Sequence, residues 1–466
     1  VVSFVAQLFA RPFILEAMYT MNRIVAIGLI AASNAAAQQA PLPPLRPLGP
    51  VLATSEEPMS SVAQVRALPG GRVLVHDLTG RRVLMFDSTF KNATVVADTT
   101  GATGNAYGSR LGGLIAYRGD SSLFVDPQSI SMLVIAPNGK IVRTMAAPLP
   151  NEVNALIGGQ NGTPGFDTQG RLVYRSQFRP VFGGRGGPAG AGGPAGFQMP
   201  QIPESSYVVR VDLKTRKVDT ASTFRIPKVS MNVTQDDNGR VMITSTVNPI
   251  PWTDDWALLS DGTLAVVRGQ DYRVDFVSPD GKVTSGPKIP FDWQRLTDED
   301  KTRIIDSTKT TMEKLREAQM AANASANPEA AKADSASKAS GRQRAQADGG
   351  GNMSITIGGR GGGPGGGPIG FTLPPLQFVL PSDMPDYRPV FRQGSARGDE
   401  DGNLWIRTSN VTNAGTEYDV ISNKGELKER ILVPSGRVIA GFGPNGTVYM
   451  GVLDGPITRL ERARLK

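Results

Sequence analysis

The stretch Asp261-Gly262-Thr263-Leu264-Ala265-Val266-Val267-Arg268 sets a tight-turn pair ahead of an unbroken apolar run, and the chain repeats that arrangement. Pro69-Gly70-Gly71 leads into Arg72-Val73-Leu74-Val75, Gly119-Asp120-Ser121 into Leu123-Phe124-Val125, and Gln169-Gly170 into Arg171-Leu172-Val173-Tyr174. Asn238-Gly239 leads into Val241-Met242-Ile243, Asp401-Gly402 into Leu404-Trp405-Ile406, and Asn445-Gly446 into Val448-Tyr449-Met450. Asn-Gly and Asp-Gly favour the left-handed dihedrals that tight hairpins require, so each copy reads as a hairpin. A second turn follows most of them one strand later, at Asp87-Ser88-Thr89, Asn138-Gly139, Lys214-Thr215, Asp280-Gly281 and Lys424-Gly425.

Two hairpins in series make a four-stranded meander, and meanders repeating every 40 to 45 residues or so are the blades of a β-propeller. The turns place blades at 62–99, 111–148, 165–227, 254–290, 389–434 and 437–465. The predicted fold class is therefore all-β, a six-bladed propeller. Its last repeat holds only three strands, and Gly49-Pro50-Val51-Leu52-Ala53-Thr54 is placed to supply the fourth and leave no free sheet edge. Residues 38–47 read as a linker and 48–466 as the propeller. Asn238-Gly239 lacks a second hairpin, so 229–249 reads as an inserted hairpin, with a seven-bladed ring as the competing count.

Asp399-Glu400-Asp401-Gly402-Asn403-Leu404-Trp405-Ile406-Arg407-Thr408, Val267-Arg268-Gly269-Gln270-Asp271-Tyr272, Gly441-Phe442-Gly443 and Arg459-Leu460-Glu461-Arg462 resemble exported bacterial six-bladed propellers of the TolB/NHL-like class. The likeness spans most of 48–466 outside the low-complexity stretches. It implies a fold and export; most such proteins have no assigned activity, and no catalytic residue carries over.

Composition removes several chemistries. The 466 residues carry 50 Lys+Arg against 42 Asp+Glu, one histidine and no cysteine. Disulfide scaffolds, thiolate metal sites and cysteine nucleophiles are excluded, and His76 alone cannot build a multi-histidine centre. No G-x-S-x-G accompanies it, so a serine-hydrolase reading has no support. Met21-Asn22-Arg23, the apolar run Ile24 to Ala32 and Ala35-Ala36-Ala37 before Gln38 follow the three-part pattern of a secretory signal peptide. Residues 1–20 read as an over-extended start upstream of it. The expected product is periplasmic or secreted, with no stable membrane anchor after cleavage, because nine apolar residues fall short of the roughly 20 a bilayer requires.

In a propeller the a–b and c–d turns share one face of the disc, and the b–c and d–a connections share the other. The Gly-rich segment 178–204 interrupts a b–c connection; 229–249 and 291–388 occupy d–a connections, so all three are expected on one face. The longest begins with a predicted helix, capped by Thr297 and Asp300 and striped by Ile304, Ile305, Met312, Leu315 and Met320, before Ala/Ser- and Gly-rich sequence takes over. Second strands end toward that same face in polar residues: His76 and Asp77, Asp126, Arg175, Arg268 and Arg407, with Asp271 and Tyr272 close behind Arg268. A guanidinium fork suits carboxylate or phosphate. His76, Asp126, Arg175, Arg268, Asp271, Tyr272 and Arg407 are accordingly the candidate ligand-binding residues. The competing reading is that each arginine pairs with a carboxylate between blades, and that His76 packs at a strand end.

Other motifs yield to their context. Arg118-Gly119-Asp120 lies on a hairpin turn. Asp399, Asp401 and Asn403 copy the start of a calcium loop, but Leu404 and Asn410 stand where Gly and Glu are needed. The Arg-Gly-Gly stretches at 185–187 and 360–362 lack interleaved aromatics, and no nucleic-acid partner is expected. Neither metal nor cofactor nor catalytic residue is assigned. The leading function is a binding module for a small anionic ligand or an envelope protein. The alternatives are a propeller lactonase or lyase acting on a small anionic substrate, and an envelope-assembly scaffold.

Overall fold

The structure, a computed structural model, describes residues 42–101, 105–108, 110–176, 203–227, 230–235, 241–326, 356–357 and 377–465. The signal peptide and its upstream segment, nearly all of 178–204, the Asn238-Gly239 turn and most of the low-complexity stretch lie outside the described residues.

Six antiparallel sheets follow one another, each running a to d from inner to outer strand. Blade one is Gln64–Ala67, Val73–Asp77, Arg82–Phe86 and Ala93–Asp98. Blade two is Gly113–Ala116, Ser122–Asp126, Ser131–Ile135 and Ile141–Ala146. Blade three is Gly165–Phe166, Leu172–Arg175, Ser205–Val211 and Val218–Arg225, and blade four is Asp255–Leu258, Leu264–Arg268, Arg273–Val277 and Val283–Lys288. Blade five is Phe391–Gly398, Leu404–Thr412, Gly415–Ile421 and Leu427–Pro434. Blade six is Arg437–Gly443, Thr447–Asp454 and Ile457–Arg464, completed by Val51–Thr54, which pairs antiparallel with Glu461–Ala463. The turn glycines Gly70, Gly262, Gly402 and Gly446 all have φ between 67° and 81°, the left-handed region that made the hairpins legible.

Alternation along the b strands builds the ring. In blade one Val73 and Val75 pack with Tyr449 and Leu460 of blade six, while Leu74 packs with Phe124 of blade two. In blade two Leu123 and Val125 turn to blade three, and in blade five Leu404 and Ile406 turn to blade four while Trp405 turns to blade six. Each gap between neighbouring blades thus holds one apolar cluster, including the gap between blades six and one. A strand with both faces buried carries no polar alternation, hence the continuous apolar runs. Each fully buried large apolar side chain contributes about 1.5–3 kcal/mol.

Three features lie outside the six meanders. Leu45–Pro47, within the expected linker, instead pairs in parallel with Arg430–Leu432 as a fifth strand on blade five. An edge position tolerates Pro47, which has no N–H to give a further strand. Ser230–Gln235 and Val241–Val247 form an antiparallel hairpin of their own, joined by Thr356–Ile357 and Gln377–Phe378. Between blades four and five in chain order runs a helix, Asp298–Ala326. Thr297 and Asp300 cap it reciprocally, and Ile304 and Ile305 pack with Ile250, Leu296 and Met384. The expected stripe does not extend to Leu315, which is 65% exposed.

Candidate functional site

The period-two alternation that sorts apolar residues also sorts the polar ends of the b strands. His76 follows Leu74 into the gap between blades one and two, where its ring meets Phe124 edge-on at 5.2 Å. Burial lowers its pKa to about 4 against the opposing pull of Asp77, and its Nδ1 has no hydrogen-bond partner among the described residues. Asp126 ends in the same gap, accepting from the Gly108 and Gln128 N–H groups and the Ser129 hydroxyl at 3.2, 3.1 and 2.6 Å. Asp77 is likewise used within the fold, accepting from the Ser60, Ser61 and Gly80 N–H groups and from Arg82 Nε.

Arg175 and Arg268 both face the gap between blades three and four, and the structure brings these two predicted residues together with Asp271. Arg268 is consumed: it donates to Asp275 at 2.7 Å, Asp254 at 2.9 Å and the Thr223 carbonyl at 3.0 Å. Burial alone would lower its pKa, but the hydrogen bonds to the two aspartates outweigh it. Asp271 stands 3.7 Å from Lys288 at the rim. Tyr272 turns away into the gap between blades four and five, where it is fully buried and donates to Asp419 at 2.5 Å. Burial is the main cause of Asp419's rise to about 7 and of the phenol's rise well above its ordinary value. Arg407 belongs to the gap between blades five and six. The seven predicted residues therefore occupy four gaps, not one ring.

Arg175 differs from the other paired strand ends. Its guanidinium lies over the Phe224 ring at 4.9 Å, and with the Gln393 amide oxygen turned towards it, both its Nη atoms donate to that oxygen. No carboxylate reaches it within ion-pair distance among the described residues, and burial works against its charge while Asp255 opposes that effect. Phe224 continues into a groove of about 380 Å³ whose walls include Thr223, Arg225, Arg268, Gln270, Asp271 and Arg273.

Two local devices place Gln393 there, and neither is a turn motif. First, strand a of blade five bulges: Phe391 opposes Thr408, yet Ala396 already opposes Ile406. Buried Asp255 clamps the bulge by accepting from the Ser395 and Ala396 N–H groups at 2.7 and 2.8 Å, and its other oxygen accepts from Trp256 N–H at 2.9 Å. Burial raises its pKa to about 6 although those backbone donors pull the other way. Second, Ile157–Gly162, in the connection from blade two to blade three, spans the end of the central channel. The Ile157 carbonyl accepts from Gln64 Nε2 of blade one at 3.2 Å, and the Asn161 carbonyl accepts from Trp256 Nε1 of blade four at 2.9 Å. A Cβ on Gly113 of blade two would lie 2.6 Å from Ile157 Cα, and one on Gly394 of blade five 2.8 Å from the Gly159 carbonyl. The sequence reading passed over this crossing; the Gly158-Gly159-Gln160-Asn161-Gly162 run is the feature that could have pointed to it.

Among the described residues no three His, Cys, Asp or Glu side chains gather as a metal site. The carboxylate nearest the bulge, Asp255, has both oxygens committed to backbone N–H groups. The side chains present here do not fit a divalent cation.

No protein-family profile matches the chain, and no curated protein sequence does. Its fold resembles solved structures. A regucalcin described as calcium-binding, from Agrobacterium tumefaciens, is 12% identical, with 91% of this chain and 97% of that one covered and a TM-score of 0.38. A gluconolactonase from Xanthomonas campestris is 11% identical, with 90% and 99% covered and a TM-score of 0.36. Virginiamycin B lyase from Staphylococcus aureus is 10% identical, with 90% and 88% covered and a TM-score of 0.32. At this distance no residue role is transferred.

Proposed function

We propose that the protein binds a small anionic molecule at the groove between blades three and four, on the face where the b strands end. The observation that carries this reading is Arg175, a partly buried guanidinium held by an aromatic ring and an amide, with no carboxylate to neutralise it among the described residues. Buried charges are ordinarily paired, and a planar fork pre-positioned by stacking favours a carboxylate or phosphate. Export to the periplasm or beyond, and the narrower TolB/NHL-like class, belong to the same proposal.

Titration calorimetry with gluconate and a panel of other small carboxylates tests it. Binding to the wild-type protein that weakens at least tenfold in Arg175→Gln, with unchanged melting temperature, is the expected result. An affinity indifferent to that substitution refutes the reading.

A second reading is a lactonase or lyase acting on a small anionic substrate at the same mouth. The observation favouring it is Asp255, a carboxyl raised to about 6 within the electrostatic reach of Arg175. Turnover of gluconolactone that is lost in Asp255→Asn, while gluconate still binds, would select this reading over binding alone.

A further inference from the structure

The gap between blades five and six closes at its polar end on two guanidinium groups. In strand a of blade five Arg397 opposes Trp405 of strand b, and Arg407 stands two residues beyond Trp405, so both project from the same face of the sheet. That face meets blade six through an apolar wall in which Trp405 contacts Phe442 at 5.0 Å and Tyr418 at 6.2 Å between ring centroids. Tyr418 is the cross-strand partner of Arg407. Arg397 is partly buried and Arg407 exposed, which leaves the pair open to solvent from one side.

Neither guanidinium forms an ion pair or a hydrogen bond among the described residues, and the surrounding carboxylates are already occupied. Asp255 is committed to backbone N–H groups. Asp399, two residues beyond Arg397, accepts from the Asp401 and Asn403 N–H groups, from Asn403 Nδ2 and from Trp405 Nε1. Glu400 lies 3.6 Å from Arg66. Burial and the neighbouring Arg407 oppose the charge on Arg397 while Tyr418 and the more distant Asp255 favour it, so two cations stand on one face with no carboxylate within ion-pair distance among the described residues. The half-buried Arg397 is the costly member of the pair unless an anion completes it, while Arg407 is hydrated.

We propose that this cleft is an anion site for a phosphate group, free or carried on a small molecule. The charge count and geometry favour that class over a carboxylate. One guanidinium fork engages both oxygens and balances the single charge of a carboxylate, whereas two forks carry the two positive charges that a phosphate dianion answers, and phosphate offers further oxygens to both. This pair lies in the gap between blades five and six, whereas Arg175 lies in the gap between blades three and four.

The test is calorimetry of the full chain at pH 7.5 and constant ionic strength, with inorganic phosphate, glycerol 3-phosphate and acetate as separate probes. Inorganic phosphate is expected to bind, with affinity falling at least tenfold in Arg407→Gln and in Arg397→Gln and changing less than twofold in Arg175→Gln. Tighter binding of glycerol 3-phosphate would assign a monoester, and equal binding free phosphate; both support the site. Absence of phosphate binding, equal binding of acetate, or affinity unmoved by Arg407→Gln overturns it. Arg407 is exposed, so Arg407→Gln is a folded control for Arg397→Gln. Loss of phosphate affinity in Arg175→Gln alone would overturn this site and leave the groove reading intact.

Discussion

The buried pair Tyr272 and Asp419 makes stability depend on pH in a direction opposite to that of most paired aspartates. The phenol is fully buried and donates to Asp419 Oδ2 at 2.5 Å, while Oδ1 is buried with no partner among the described residues. Glu417, held by Arg430, adds a like charge nearby. Burial, with a smaller push from Glu417, raises the Asp419 carboxyl to about 7 from an ordinary 3.8, against the opposing pull of the Tyr272 hydrogen bond and of Arg430. The folded state therefore keeps a proton that the unfolded chain has released between about pH 4 and 7, and stability falls as pH rises through that window. Each tenfold change in proton affinity corresponds to about 1.4 kcal/mol, so the full effect is about 4 kcal/mol. Asp419→Asn cannot ionise and removes this dependence. Asp255 and His76 titrate in both proteins, so their contributions cancel in the difference. Urea unfolding of wild type and variant at pH 4, 5, 6, 7 and 8 measures it. The wild type should lose about 4 kcal/mol relative to the variant between the extremes. Profiles parallel to within about 1 kcal/mol would refute the reasoning.

His76 is the chain's only histidine, so its ring protons give one resolvable NMR titration. The midpoint should fall near 4, and a midpoint near 6.5 would contradict its burial against Phe124. Because its folded pKa is lowered, its contribution to stability should rise with pH between those two values. Arg268→Ala should cost about 2 kcal/mol by chemical denaturation, less than for a fully enclosed pair because the side chain is partly exposed, since Asp254 and Asp275 both lose a partner. A loss within about 0.5 kcal/mol, as for an ordinary surface change, would argue against its role as a tie between strands. Gly162→Ala should destabilise by more than about 1 kcal/mol, because φ is +83° and the new Cβ would stand 2.6 Å from the Trp256 ring. An unchanged melting temperature and unchanged tryptophan fluorescence would mean that Ile157–Gly162 is not held across the channel as described.

Local chemistry made the ring legible. Positive-φ turn residues mark the hairpins, and a b strand buried on both faces is apolar through most of its length, so turns and runs together located the blades without reference to distant contacts. The closing strand at Val51–Thr54 could be inferred because a three-stranded last repeat leaves an edge that requires a partner. The same logic named Arg175, Arg268 and Arg407 as strand ends. It could not say which were neutralised, because Asp254, Asp275 and Gln393 reach them through strand register and across blade gaps.

What remained for the tertiary structure was set by packing between segments far apart in the chain. The bulge at Gln393–Ala396 exists because Asp255, about 140 residues away, accepts its N–H groups. The crossing at Ile157–Gly162 depends on close approaches from blades one, two, four and five. The isolation of Arg397 and Arg407 depends on every nearby carboxylate being engaged elsewhere. A residue's own sequence determines which side of its strand it occupies; whether its charge is answered depends on what the closed ring brings to that side.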